Sequence, residues 1–146
     1  MKIDIIAKDA KGHEVLIAEV RGIVLDDDAA IRTLDYLREL KLPARFGMVA
    51  DPEWIRIADL ENPEDRFVCV LNSKDLLRYY QPDFGEKRIR EGFLTTLIEA
   101  WLRDIAYRWK SETPPELDQL SAIGLAEPLK DGSTDSEVII EADPVY

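Results

Sequence analysis

The sequence predicts an α/β domain: a mixed β-sheet flanked by helices. Two observations carry this. Short apolar, β-branched runs come in pairs joined by turn residues, and between and after those pairs the apolar residues recur at helical spacing. A third observation bounds it, because 146 residues with 46% apolar content suffice for one domain with a real core and are too few for two ordinary ones.

The elements follow in order. KIDIIAK and HEVLIAEVR are apolar on both faces, as expected of strands covered on both sides, and form a hairpin around Asp9 to Gly12. Asp26-Asp27-Asp28 precedes AAIRTLDYLRELK, where Ala30, Ile31, Leu34, Leu37 and Leu40 lie on one helical face, with Pro43 beyond the end. Asp28 is the expected N-cap, with Asp26 and Asp27 favoured by the positive end of the helix dipole. ARFGMVA and EWIRIAD read as a second hairpin about Asp51-Pro52, and FVCVLN as a further strand. Asn72 or Ser73 caps KDLLRYY, which Pro82 ends. From Glu86 to about Lys110 runs the longest predicted helix. Its apolar stripe, from Ile89 and Phe93 through Trp101 to Trp109, is wider than a surface helix requires and predicts a homo-oligomer using residues 86–110.

Charge divides the chain. The net charge is −11, with nine acids and only Lys130 as a cation in residues 111–146. Residues 1–110 form the expected α/β domain and 111–146 an acidic tail, solvated and loosely held, able to screen a basic surface. Met1-Lys2 leads into a strand and not a signal peptide, no apolar run is long enough to span a bilayer, and a cytoplasmic setting is the default. Cys69, alone in an apolar strand, reads as a small buried residue. His13 lies by a turn with no second His or Cys at ligand spacing, which makes zinc and Ser-His-Asp sites improbable. No glycine-rich phosphate loop follows a strand.

Asp4, Glu19 and Arg21 are the candidate site residues. If the first hairpin has a loop of two or four residues, Asp4 lies opposite Ile17 and Glu19 is its diagonal neighbour, about 7–8 Å away between Cα atoms. A three-residue loop would put the carboxylates on opposite faces unless a bulge corrected it. Two carboxylates so placed can share one Mg²⁺, which takes oxygen ligands and keeps several waters.

The run Ile3-Asp4, a turn, then Glu19-Val20-Arg21 at the end of the next strand, then a helix, resembles the PD-(D/E)XK nuclease superfamily with its restriction-endonuclease-like fold. The resemblance covers roughly residues 2–60. It implies that Asp4 and Glu19 bind Mg²⁺ or Mn²⁺, that Arg21 stands at the position of the lysine that assists the attacking water, and that nucleic acid, plausibly DNA, is the substrate. Three features depart from the family: Ile3 replaces the motif proline, no helix precedes the first strand to carry a further acidic ligand, and arginine cannot serve as a base. The alternative implied by those departures is an inactive nuclease-like module that oligomerises or regulates a nucleic-acid enzyme.

Overall fold

A computed structural model describes residues 2–62, 64, 66–86 and 90–139. A six-stranded mixed sheet runs in the order β5-β4-β3-β2-β1-β6. Its strands are β1 (Lys2–Lys8), β2 (Glu14–Val20), β3 (Phe46–Ala50), β4 (Trp54–Asp59), β5 (Cys69–Asn72) and β6 (Ser133–Ile139). β2 and β3 are parallel, joined by the crossover helix α1 (Asp27–Glu39), while the other neighbours are antiparallel.

Helices cover both faces. On one side α1 buries Ala30, Leu34 and Leu37 against Ile6, Ile17, Val49 and Ala58. On the other, α2 (Ser73–Leu77) and α3 (Glu91–Tyr107) close over Ile5, Leu16, Ala18, Val20 and Met48. This double covering is why the strands lack a polar face and read as continuous apolar runs. Among the described residues no helix is long and apolar enough to cross a membrane.

Several expectations are corrected. The cap of α1 is Asp26, whose carboxylate accepts from Ala29 N at 2.7 Å, so Asp28 belongs to the first turn. Asn72 does cap α2, accepting from Asp75 N at 3.1 Å. The long helix begins at Glu91 and ends at Tyr107, where Arg108 enters the left-handed region at φ 55°; residues 87–89, part of the helix expected from Glu86, lie outside the described set.

The largest correction concerns residues 111–139. In place of a solvated segment they form α4 (Leu117–Ala122), α5 (Ala126–Leu129) and the edge strand β6. Leu120, Leu125 and Leu129 join the core, and Trp101 Nε1 donates to Pro115 O at 2.9 Å. Trp101, Leu102 and Ile105 of the α3 stripe are buried within the chain, while Phe93 and Trp109 stay exposed. Local acidity misled the reading: the acids of this stretch point outward, and the few leucines between them carry the packing.

Candidate functional site

The first hairpin closes through a loop of five residues, Asp9 to His13, held by Asp9 N donating to His13 O at 2.9 Å. Asp9 also accepts from Lys11 N and His13 N, and His13 is an exposed turn residue. A register shift at Ala7/Lys8 then sets Ile5 opposite Ala18 and Ile6 opposite Ile17. The register differs from the expected one: one step beyond Ile5 and Ala18, Asp4 falls across from Glu19 and not diagonal to it.

At Asp4 the sheet opens. Ile3 pairs with Val138 and Ile5 with Ser136, but Asp4 enters neither ladder. Ile3 packs with Ile6 on the α1 side whereas Ile5 packs under α3, so strict alternation fails between them. Glu137, at the matching point of β6, takes φ 52°. The Asp4 carboxylate fills the gap in the ladder, its Oδ2 accepting from Val20 N at 2.8 Å. Both Asp4 and Glu19 are buried.

Arg21 joins the two acids. Its backbone N–H continues the sheet by donating to Ala50 O at 2.8 Å. Nη1 lies 2.7 Å from Glu19 Oε2, 3.2 Å from Val20 O and 3.6 Å from Asp4 Oδ2. The loop that follows is pinned by buried Asp51, which accepts from Leu25 N, Glu53 N, Trp54 N and Arg56 Nη1. Four donors satisfy this carboxylate and explain its burial in structural terms.

Glu19 is less well provided. Its Oε1 is buried and has no hydrogen-bond partner among the described residues. Burial holds its carboxyl above the usual glutamate range, the hydrogen bond from Arg21 works against that, and the charge of Asp4 adds to the rise. Burial opposes the charge on Arg21, but Glu19, then Asp4 and Glu91, more than compensate and keep the guanidinium protonated.

Two neighbours come from helices that the sequence did not connect to the site. Glu91 opens α3 beside the chain just past Arg21: a Cβ on Gly22 would sit 3.3 Å from Glu91 Cβ, so glycine is what allows this close approach. Tyr36 of α1 stands on the other side, its phenol raised first by burial and then by the charge of Glu19. A cleft of about 290 Å³ opens from Asp4 beneath α3, bounded by Lys2, Glu91, Thr95, Glu99 and Ser136. Glu99 is held there by Arg103 and Thr134, each at 3.0 Å. That α3 starts at the end of β2 follows from packing, and no local sequence pattern announces it.

The donors present are carboxylate oxygens, the type that a hard divalent cation takes. No group of three or more His, Cys, Asp or Glu is gathered at ligand spacing among the described residues. What fits a cation is the pair Asp4 and Glu19, with the unpartnered Glu19 Oε1 as the free donor and water completing the shell. Arg21 competes for that place, since its guanidinium already binds Glu19 Oε2.

No family model matches the chain, and neither a curated protein nor a solved structure matches it.

Proposed function

We propose that this chain is a restriction-endonuclease-like domain that hydrolyses phosphodiester bonds of nucleic acid, with DNA as substrate and a divalent cation as cofactor. The observation that carries the reading is Glu19: a buried carboxylate beside Asp4, with one oxygen on Arg21 and the other without a partner. A buried polar group left unsatisfied is costly, and sites tolerate it where a ligand completes the set. The arrangement of the strands supports the same reading, since the two acids lie on adjacent antiparallel strands followed by a helical crossover into a parallel third. Glu91, in the first turn of α3, offers a helix-borne acid near Arg21.

In this reading Asp4 and Glu19 would hold Mg²⁺ or Mn²⁺, which would supply Lewis acidity toward water and a phosphoryl group. Arg21 would offer its guanidinium to the phosphoryl oxygens and neutralise charge that grows on them. It cannot take a proton from water, because guanidinium stays protonated at any working pH. The cleft under α3 opens beside Asp4 and is lined by Glu91 and Glu99 as well as Lys2.

Calorimetric titration with Mn²⁺, paired with cleavage of plasmid DNA in Mg²⁺, tests this. Wild type binds metal, Glu19→Ala does not, and Arg21→Lys raises cleavage by giving the attacking water a smaller cation. The 2.7 Å pair between Arg21 and Glu19 favours a second reading, in which arginine has replaced the metal and the domain acts as an interaction module. Metal silence in wild type and in folded Arg21→Lys decides for that second reading.

A further inference from the structure

At the far end of α3 the fold assembles a surface that the proposed site does not use. Arg108, in the left-handed region at φ 55°, ends the helix and turns Trp109 and Lys110 back toward Tyr79 and Tyr80 of the segment after α2. A non-glycine residue is disfavoured there, so the turn is imposed by what surrounds it. Buried Asp104 imposes it: Oδ2 accepts from the Tyr80 hydroxyl at 2.8 Å, and Oδ1 from Lys110 N at 2.9 Å and Ser111 N at 3.1 Å. Trp109 Nε1 donates to Ala100 O at 2.8 Å, which fixes the indole.

The result is a rigid set of rings. Tyr79 and Tyr80 meet edge to face at 5.2 Å between centroids, and Trp109 lies 5.9 Å from Tyr80. Tyr79 is 41% exposed and Trp109 50% exposed. Lys110 Nζ stands over the Tyr79 ring at 4.8 Å and donates to Tyr79 O, so a cation is held at the surface beside the rings. Two segments distant in sequence, Tyr79-Tyr80 and Trp109-Lys110, thus bring three rings and one cation together, while the neighbouring Arg78 and Arg108 donate to Phe84 O and Ile105 O.

We propose that this surface binds single-stranded nucleic acid, its exposed rings stacking on unpaired bases while Lys110 meets phosphate. Ring faces stack on bases only where those bases are unpaired, and stacking tolerates any sequence. One lysine is too few for the phosphate contacts that duplex binding relies on. The patch lies one α3 length, about 24 Å at 1.5 Å per residue, from Glu91 at the other end of the helix.

The test measures anisotropy of a fluorescein-labelled twelve-nucleotide oligo-dT, and of a duplex of equal length, titrated with full-length protein in EDTA so that no metal-dependent chemistry contributes. Single strands bind more tightly than duplex. Trp109→Ala weakens single-strand binding by about 5- to 150-fold, the range for losing one stacked contact, and Trp109→Phe recovers most of it. Tyr79→Ala and Lys110→Ala, both at exposed positions, weaken it as well and guard against misfolding of the tryptophan variant. Equal affinity of folded Trp109→Ala and wild type, a preference for duplex, or no binding of oligo-dT overturns the proposal, the last leaving a protein partner for these rings. Trp109-dependent binding by a protein that takes up no Mn²⁺ would remove the phosphodiester reading and leave this one standing.

Discussion

Replacing Arg21 by methionine separates the two roles open to the Asp4 and Glu19 pair. The substitution keeps most of the aliphatic stem and removes the charge that sits 2.7 Å from Glu19 Oε2 and 3.6 Å from Asp4 Oδ2. Breaking a buried pair by deleting one partner costs about 3–5 kcal/mol, because the remaining charge is stranded. The Arg21 side chain is 36% exposed, so solvent screening reduces this to about 1–3 kcal/mol. For a chain of this size that lowers the melting temperature by roughly 3–9 °C. A divalent cation should reverse the loss, since it binds only the folded arrangement of carboxylates: at a concentration 100 times its dissociation constant it contributes about 2.7 kcal/mol. The gain must be larger in Arg21→Met than in wild type, where the guanidinium already holds Glu19. Urea unfolding of both proteins in EDTA and in 10 mM Mn²⁺ measures all four stabilities. A folded Arg21→Met whose stability is the same with and without Mn²⁺ would refute the competition between arginine and metal.

Three further outcomes are expected. Leu120→Ala should lose about 2–5 kcal/mol in urea unfolding, because Leu120 is fully buried against the main core; a loss under 1 kcal/mol would return residues 111–139 to the status of a loose tail. Gly132→Ala should displace the start of β6, since its Cβ would lie 2.0 Å from Lys8 O and 3.0 Å from Leu129 O; unchanged hydrogen-exchange protection across β1 and β6 would contradict that packing. Glu19, whose folded carboxyl is raised by burial and by Asp4, binds its proton more tightly folded than unfolded. Wild-type stability relative to Glu19→Gln should therefore fall as pH rises from the ordinary glutamate range through the raised folded value, and parallel stability curves for the two proteins from pH 4 to pH 8 would count against the buried, under-satisfied carboxylate.

The central strands and α1 were legible because each is a local pattern. β-branched runs at short spacing and an aspartate before a helical stripe do not depend on distant residues. The cap of α1 was misplaced by two residues because Asp26, Asp27 and Asp28 are chemically equivalent in sequence, and only the backbone at Asp26, extended with ψ 171°, decides among them. The register of the first hairpin was misjudged because Asp9 organises a five-residue loop by accepting from Lys11 N and His13 N, a closure that the turn residues DAKG do not specify on their own. Residues 111–139 were misread for a compositional reason. Seven acids outweighed a handful of apolar residues, yet burial of Leu120, Leu125 and Leu129 and pairing of β6 along β1 suffice to seat the segment.

The same contrast explains the site. Asp4, Glu19 and Arg21 are brought together by two strands that the sequence exposes, and their spacing could be argued from the period of a strand. Glu91 and Tyr36 come from the two helical layers, where position depends on which side chains let a helix approach the sheet. Gly22 is the one local clue, since its missing side chain lets α3 start against the end of β2. A helix seated there does two things at once. Its first turn brings a third carboxylate to the neighbourhood of Arg21, drawing that cation toward α3 as well as toward Glu19. Its last turn, some four to five turns away, presents Trp109 and Lys110 with Tyr79 and Tyr80. The last turn of α3 is fixed by buried Asp104, and its first turn by the close approach of Glu91 to Gly22. A substitution that shifts the helix along its axis, such as Gly22→Val, should disturb Arg21 pairing and oligonucleotide binding together, whereas Trp109→Ala should disturb only the second.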